Sequence, residues 1–171
     1  MTALDIRLFG DPVLRTVADE VTDPSAPTLR TLVDDMLETM DAAGGVGLAA
    51  NQVGVTRRVF VYDCEGDRGH IVNPVWSAVG EETQTGREGC LSVPEVGGDV
   101  TRAETVHVTG TTVDGEPVDR EVTGLLARCV QHETDHLDGV MFFQRMAADD
   151  RRTVMAGIRE SEWFNRGGSC S

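Results

Sequence analysis

The amino-acid sequence predicts an α+β fold, in which antiparallel β-sheets pack around a central helix. Two observations support this class. Short segments rich in Val and Thr, typical of strands, recur between residues 57 and 122. Helical patterns lie before and after this region and do not alternate with the strands. A length of 171 residues fits one domain, so we expect residues 1–171 to fold as a single unit.

An amphipathic helix is predicted near the N-terminus, in the stretch TLRTLVDDMLETMDAAGG (28–45). Apolar residues recur there at helical spacing: Leu29, Leu32, Val33, Met36, Leu37 and Met40. Ser25 or Thr28 is able to cap the start of the helix, and Gly44 is able to end it. This apolar stripe predicts that the helix packs on the core.

Four strands are predicted in the middle of the chain. Their segments are RRVFVYD (57–63), HIVNPVW (70–76), ETVHVTGTTV (104–113) and EPVDREV (116–122). The pair Asp114 and Gly115 separates the last two and is typical of a tight hairpin turn.

Two helices are predicted after the strands. The first begins near Leu125 and stops near Gly139. The second covers 148–164, with Val154, Met155 and Ile158 facing inward. Residues 165–171 form a polar tail that we expect to be disordered.

Composition excludes several classes of protein. The chain has 29 acidic and 15 basic residues, a formal charge of −14, so direct binding to nucleic acid is not expected. No stretch approaches the roughly 18 apolar residues of a membrane span. The first residues resemble neither a signal peptide nor a transit peptide, which predicts a bacterial cytoplasmic protein. Cysteines 64, 90, 129 and 170 are expected to be thiols or ligands, not disulfides.

The stretch CVQHETDHLDG (129–139) carries a candidate metal site. On a helix, His132 and His136 lie one turn apart on the same face, with Glu133 beside the first. Helical HExxH is a signature of metal-dependent hydrolases, in which the glutamate is the general base. Such sites take three protein ligands and keep a position for water, so a third ligand must lie elsewhere.

Several residues are candidates for the third ligand. A histidine at position 142 would complete one known pattern, but Phe142 stands there, which excludes that class. A downstream glutamate serves in another class, and Glu160 or Glu162 is available, although no ligand motif surrounds either. Upstream, Cys90 follows a glycine, which leaves the backbone open enough for the sulfur to approach a metal.

Three motifs closely resemble those of the peptide deformylases, bacterial enzymes that remove the formyl group from the N-terminal methionine of new polypeptides. The family's motifs are GxGLAAxQ, EGCLS and QHExDH. This sequence carries GVGLAANQ at 45–52, EGCLS at 88–92 and QHETDH at 131–136, in that order. GDPVLR near the start and the closing helix extend the resemblance over nearly the whole chain.

The resemblance implies a metal-dependent amide hydrolase whose ligands are Cys90, His132 and His136. It implies one divalent ion per chain, with Fe2+ expected and Zn2+ or Ni2+ able to replace it; this donor set is acceptable to all three ions. Glu133 is implied as acid and base, taking a proton from the attacking water and returning it to the departing amine, which releases formate.

The first two motifs imply groups that contact the substrate. The side-chain amide of Gln52 and the backbone N–H of Leu91 are implied as donors to the developing oxyanion. Gly45 and Gly47 remove side chains where an extended peptide would lie, so the peptide is able to pair as an added strand, with Gly47 as a backbone partner.

An apolar pocket for the first methionine is also implied, with contributions from Val46, Leu125 and Cys129. Arg128 stands where many relatives have an aliphatic residue. We expect its methylene stem to form part of the pocket rim while its charge reaches water.

The implied partners are N-formylmethionyl peptides and nascent chains, with transient contact to the ribosome. A zinc endopeptidase would share HExxH but would cut internal peptide bonds. A non-catalytic binding protein on the same scaffold would have lost a ligand, the acid/base or the oxyanion amide, and all of these are present.

Overall fold

The computed structural model describes residues 2–168. Within them the helices are α1 (Pro27–Ala43), α2 (Gly124–Leu137), α3 (Ala148–Glu160) and α4 (Glu162–Gly168). The strands are β1 (Gly47–Ala49), β2 (Val59–Cys64), β3 (Asp67–Ala78), β4 (Thr83–Cys90), β5 (Val93–Ala103), β6 (Thr105–Thr111) and β7 (Pro117–Thr123). Short 3-10 segments cover Pro12–Arg15, Ala50–Val53 and Phe142–Arg145.

The strands form two antiparallel sheets. One has the order β1-β2-β3-β6-β7, and the other is the β4–β5 hairpin alone. The α+β prediction is therefore confirmed, as are the four predicted strands. Gly115 has a φ of 78° in the predicted turn between β6 and β7.

Strand β2 divides the core into two halves. Val59 and Val61 pack with the apolar face of α1, whereas Phe60 and Tyr62 pack with α2. Successive side chains of a strand point to opposite faces, so α1 and α2 lie on opposite faces of the larger sheet. Residues 127–137 of α2 are all buried, and α2 also contacts β5, so it lies between the sheet and the hairpin.

A third apolar cluster joins the hairpin to the C-terminal part of the chain. Val93 and Val100 of β5 pack with Phe142 and with Val154 and Ile158 of α3. These inward-facing residues of α3 were predicted from helical spacing. This packing holds the hairpin, and with it Cys90, against the C-terminal part of the chain.

The ends of α1 differ in how well they were predicted. Gly44 adopts a φ of 71° and ends the helix, as expected. The helix begins after Ala26, with Pro27 in its first turn and no side-chain cap, so the predicted capping by Ser25 or Thr28 is wrong. Proline replaces the cap because its missing N–H needs no partner there.

The C-terminal helix is interrupted where one continuous helix was predicted. Ser161 is extended, with a ψ of 136°, and separates α3 from α4. The indole of Trp163 donates to the carbonyl of Pro94, which holds α4 against β5. Disorder was predicted for 165–171, but 165–168 are helical, so that prediction is wrong there. Residues 169–171, including Cys170, lie outside the described part of the chain.

Strands β1, β4 and β5 were not predicted. In the described part of the chain, no helix is long and apolar enough to span a bilayer.

Candidate metal centre and substrate cleft

Helix α2 brings its two histidines together at its buried face. His132 and His136 are one turn apart, and their Nε2 atoms are 3.2 Å from each other. Both side chains are buried, with His136 completely so. Phe142, at the position where one class of hydrolase has its third histidine, stacks on the ring of His132 with 6.2 Å between centroids.

Cys90 reaches the histidines from the end of β4. The register of the β4–β5 hairpin shifts between Gly89 and Cys90, so Cys90 pairs with Val93 across a two-residue turn. Its Sγ is 3.2 Å from the Nε2 of His136. The ligand atoms of Cys90, His132 and His136 all lie within 4.8 Å of one another.

These three residues fit a divalent metal ion. The Nδ1 of His132 faces the Oε1 of Glu88 at 2.5 Å, which places its proton on Nδ1 and leaves the lone pair of Nε2 free for a metal. One sulfur and two imidazole nitrogens are an acceptable donor set for Zn2+, Fe2+ or Ni2+. Glu160 and Glu162, the alternative third ligands, instead line a separate opening beside Trp163.

Glu88 is the centre of a buried charge network behind the ligands. Its carboxylate accepts hydrogen bonds from Arg102, with a shortest distance of 2.6 Å, and from the Nη1 of Arg128, also at 2.6 Å. Burial acts to raise the pKa of Glu88, but its bonds to His132 and Arg102 hold that pKa far below the ordinary value. Arg102 also donates to Asp135 of α2 at 2.7 Å.

Glu133 is buried beside the ligands without being one of them. Its Oε2 is 3.9 Å from the Nε2 of His132, and its Oε1 has no hydrogen-bond partner among the described residues. Burial raises the pKa of Glu133 to about 7. A carboxylate with such a pKa, beside three metal-type ligands, is suited to accept and return a proton near neutral pH.

Gln52 lies in the short helical segment that follows β1. Its Oε1 accepts from the backbone N–H of Ala49 at 3.0 Å, so the amide nitrogen must face the opposite way. That nitrogen lies 3.4 Å from the Sγ of Cys90 and 3.1 Å from the Oγ of Ser92. The predicted oxyanion donor therefore points at the metal centre from a fixed orientation.

A cleft of about 700 Å³ opens onto this centre. Predicted residues along its walls are Gly45, Val46, Gly47, Cys90, Leu91, Leu125, Arg128, Cys129, His132 and Glu133. Strand β1 is an edge of the larger sheet, so its free side is able to pair with an extended peptide. Val46 is 46% exposed and lines the cleft.

Glycine at position 47 has a packing cause in addition to the predicted role in peptide binding, which stays a prediction. A Cβ there would lie 2.7 Å from the Oε2 of Glu133 and 2.7 Å from the Sγ of Cys129. The missing side chain thus makes room for the catalytic candidate as well as for a peptide. At Gly45, the nearest obstacle to a Cβ is the end of the Leu91 side chain, also at 2.7 Å.

Arg128 does not extend its charge into water, so that expectation is wrong. Only 8% of the residue is exposed, and its guanidinium donates to groups of the β4–β5 hairpin. The buried carboxylate of Glu88 is a stronger hydrogen-bond partner for the guanidinium than the pocket rim. Arg128 still lines the cleft.

Sequence reasoning did not identify Arg102, Asp135 or the role of Glu88. Both acidic residues lie inside quoted motifs, which was an available signal. Cys64 and Cys129, which were expected to be thiols or ligands, are both free and buried, each with its sulfur 3.6 Å from the carbonyl of Val46.

Comparisons with known proteins agree with this geometry. The family model described as polypeptide deformylase matches residues 3–152. The chain is 59% identical to peptide deformylase 1 of Corynebacterium efficiens, over 97% of this chain and 100% of that protein.

Solved structures are similar as well. The peptide deformylase of Thermus thermophilus has a TM-score of 0.86 and 41% identity, covering 92% of this chain and 93% of that one. A Synechococcus elongatus peptide deformylase, solved in complex with actinonin, has a TM-score of 0.86 and 36% identity, covering 96% and 90%. The geometry of the site, the family match and the fold agree, and the chain therefore belongs to the polypeptide deformylase family.

Proposed function

We propose that the centre formed by Cys90, His132 and His136 holds the metal ion of the deformylation reaction. The chain removes the N-formyl group from formylated peptides in a metal-dependent hydrolysis, as its family does. The observation that supports this ligand set is the convergence of the three ligand atoms within 4.8 Å. A bound divalent ion supplies Lewis acidity, which lowers the pKa of water and polarises a carbonyl oxygen.

Glu133 is the proposed acid and base. Its partnerless Oε1 is available to take the proton of the water that attacks the formyl carbon. The protonated carboxyl then gives this proton to the amine nitrogen of the leaving peptide, which departs with a free N-terminus while formate is released. A pKa of about 7 makes both transfers feasible in one turnover.

Gln52 and Leu91 are the proposed donors to the oxyanion. The amide nitrogen of Gln52 is held at the centre by the bond between its oxygen and Ala49. Leu91 lies in the turn between β4 and β5, directly after Cys90, and lines the cleft, which supports this role for its backbone N–H. Removing one such donor typically costs about 2.7 to 4 kcal/mol of transition-state stabilisation.

Substrate binding is assigned to β1 and the cleft. An extended peptide pairs with the free side of β1 near Gly45 and Gly47, and the first methionine enters between Val46, Leu125 and Cys129. Contact with Cys64 and burial raise the pKa of the Cys129 thiol well above its ordinary value, so this wall is uncharged. Backbone pairing does not depend on side chains, which suits an enzyme that processes many sequences.

We further propose Fe2+ as the working ion on the strength of the family resemblance, with Zn2+ or Ni2+ able to replace it, because thiolate and imidazole donors accept all three ions. Formylated nascent chains are proposed substrates, with transient contact to the ribosome in a bacterial cytoplasm, because that is where such chains arise. Residues 1–171 are proposed to form one domain, consistent with a family match that runs unbroken over 3–152.

The test compares metal content and formate release in cysteine variants. Cys90→Ala leaves two histidines and is expected to lose both metal and formate release from formyl-Met-Ala. Cys64→Ala removes a buried thiol outside the centre and is expected to keep its metal. Full metal occupancy of Cys90→Ala at low free metal would overturn the ligand assignment. Cleavage of internal bonds in an unformylated peptide would favour an endopeptidase.

A further inference from the structure

Arg128 is a buried cation that the reaction as described leaves without a role. It lies on α2, one turn before His132, and only 8% of it is exposed. Its guanidinium donates to the side chain of Gln84 at 3.2 Å, to Glu88 at 2.6 Å and to the carbonyl of Val100 at 3.1 Å. Weaker contacts reach the carbonyls of Gln84 and Gly86 at 3.4 and 3.5 Å.

These partners lie on both strands of the β4–β5 hairpin. Glu88 is on β4, Val100 is on β5, and Arg128 binds both from α2. A guanidinium is planar and presents several donors in a fixed fork, so bonds to two strands restrict how the hairpin is able to move relative to the helix. An exposed arginine would not do this, because water would compete for each bond.

The geometry of the metal centre depends on the distance between the hairpin and the helix, because β4 supplies Cys90 and α2 supplies His132. Glu88 lies two residues before Cys90 and receives bonds from both Arg128 and His132. The carboxylate of Glu88 is therefore held by two residues of α2, Arg128 and His132, which lie one turn apart. Any shift of the hairpin along the helix must break one of these bonds.

A second bridge runs in the opposite direction. Arg102 of β5 donates to Asp135 of α2, whereas Arg128 of α2 donates to Glu88 of β4. Both buried ion pairs therefore join the hairpin to α2. The hairpin supplies the arginine of one pair, and the helix supplies the arginine of the other. Loss of Arg128 therefore leaves one bridge in place, which predicts a loosened centre instead of an unfolded protein.

We propose that Arg128 is a positioning residue of the metal centre, which fixes the sulfur of Cys90 relative to the imidazole of His132 by clamping Glu88 and the hairpin onto α2. This inference rests on the proposed ligand set. It assigns to Arg128 a role in metal affinity and in the geometry around the metal, in addition to its place in the cleft wall.

The test measures metal binding by three variants without relying on turnover. Arg128→Met keeps the stem and removes every donor. Arg128→Lys keeps a charge but not the fork. Arg58→Met is the matched control, because Arg58 donates to the carbonyls of Ala18 and Leu137 and to Asp138, at the far end of α2, and contacts neither Glu88 nor the hairpin.

Zinc affinity is measured by competition with a chromophoric chelator after metal removal, and the cobalt-substituted proteins are compared by their thiolate-to-metal absorption band. Removing a residue that orients a ligand typically lowers metal affinity about 10- to 100-fold, and we expect this for Arg128→Met, with a shifted cobalt band. Arg128→Lys should show a smaller loss. Arg58→Met should keep the wild-type affinity and band even where its thermal stability falls.

Wild-type zinc affinity and an unshifted cobalt band in folded Arg128→Met would overturn the inference. If Arg128→Met does not fold, an unchanged affinity and band in Arg128→Lys would overturn it equally. An equal loss of affinity in Arg58→Met would also overturn it, because the effect would then be a general loss of stability. Failure of the ligand set itself is distinguishable, since wild-type protein and Cys90→Ala would then bind zinc equally well.

Discussion

At residue 47 the absence of a side chain is required by atoms of two neighbours. Glu133 and Cys129 occupy the space into which a Cβ would point. Contacts of 2.7 Å are too short for carbon against either oxygen or sulfur, so one of the neighbours must move. Because Glu133 is the proposed acid and base, the backbone of β1 and the catalytic carboxylate are coupled directly.

Gly47→Ala should therefore impair catalysis more than metal binding. Displacement of a reacting group by about 1 Å commonly costs about 10²-fold in rate, and we expect a fall in kcat of that order with normal metal content. Steady-state kinetics on formyl-Met-Ala and metal analysis check this. Gly45→Ala should lose less, because the Leu91 side-chain end that it meets is able to rotate. A wild-type kcat in Gly47→Ala would contradict the coupling.

Glu133→Gln tests the proton transfers themselves. The amide has the size of the carboxyl group but neither accepts nor returns a proton at this site. General acid/base groups contribute about 10² to 10⁴ in rate, and Glu133 acts twice in a turnover, so we expect a loss at the upper end or beyond. Metal content should stay at the wild-type level. Activity within about tenfold of wild type would exclude the mechanism.

At the scale of elements, the β4–β5 hairpin shows why some strands escape sequence patterns. Gly97 and Gly98 lie in β5, and glycine is depleted in strands. Gly97 is required by close packing, because a Cβ there would lie 2.8 Å from the backbone carbonyl oxygen of Glu88. At Gly98 a Cβ would lie 2.8 Å from the terminal methyl of Met146, a flexible side chain that is able to shift. The inner face of the hairpin also carries the charged network of Glu88 and Arg102, which removes the usual apolar alternation.

Strand β3 is joined to the turn between β6 and β7 by a histidine that must be neutral. The backbone N–H of Val113 donates to the Nε2 of His70 at 3.0 Å. Burial lowers the pKa of His70 below its ordinary value, so the unfolded chain binds this proton at a higher pH than the folded one.

The contribution of His70 to stability is therefore full above pH about 6.5, the unfolded pKa, and is lost as the pH falls from there through the lower folded pKa. His70→Gln keeps an acceptor and does not titrate. Urea unfolding at pH 7.5 and pH 5 should show a larger loss of stability on acidification in the wild type than in the variant. Parallel losses would contradict the assignment.

At the scale of the whole molecule, the metal centre links two parts of the chain that are distant in sequence. Cys90 comes from the hairpin, and His136, 46 residues later, comes from α2. An ion held by both binds the folded state and not the unfolded chain, so it stabilises the fold by mass action.

Metal removal should accordingly lower the melting temperature. At a free ion concentration about 1,000 times Kd, binding contributes about 4.1 kcal/mol. For a domain of this size, about 1 kcal/mol corresponds to roughly 2 to 4 °C, which predicts a difference of about 8 to 16 °C between loaded and metal-free protein. Calorimetry with and without zinc measures it. Cys90→Ala should show little difference, and an equal rise in that variant would place the stabilising ion elsewhere.

Local sequence patterns were enough to predict the fold class, the two main helices and the candidate residues of the site. Helical spacing fixes which residues share a face, so His132 and His136 were placed together, and the stripe of α1 was placed on the core. Motif resemblance selected Cys90 over Glu160 and Glu162. The metal identity, the ribosome contact and the roles of the site residues stay predictions, as does the single domain.

The pairing of the charged residues around the centre could not be predicted from the sequence and is seen only in the folded chain. Arg128 and Glu88 are 40 residues apart, and no local pattern indicates whether a long cationic side chain ends in water or on a buried carboxylate. That choice depends on which elements pack together, because burial makes an unpaired charge costly and a paired one tolerable. The same packing makes Gly47 necessary, since the atoms that exclude its Cβ belong to a helix more than 80 residues further along the chain.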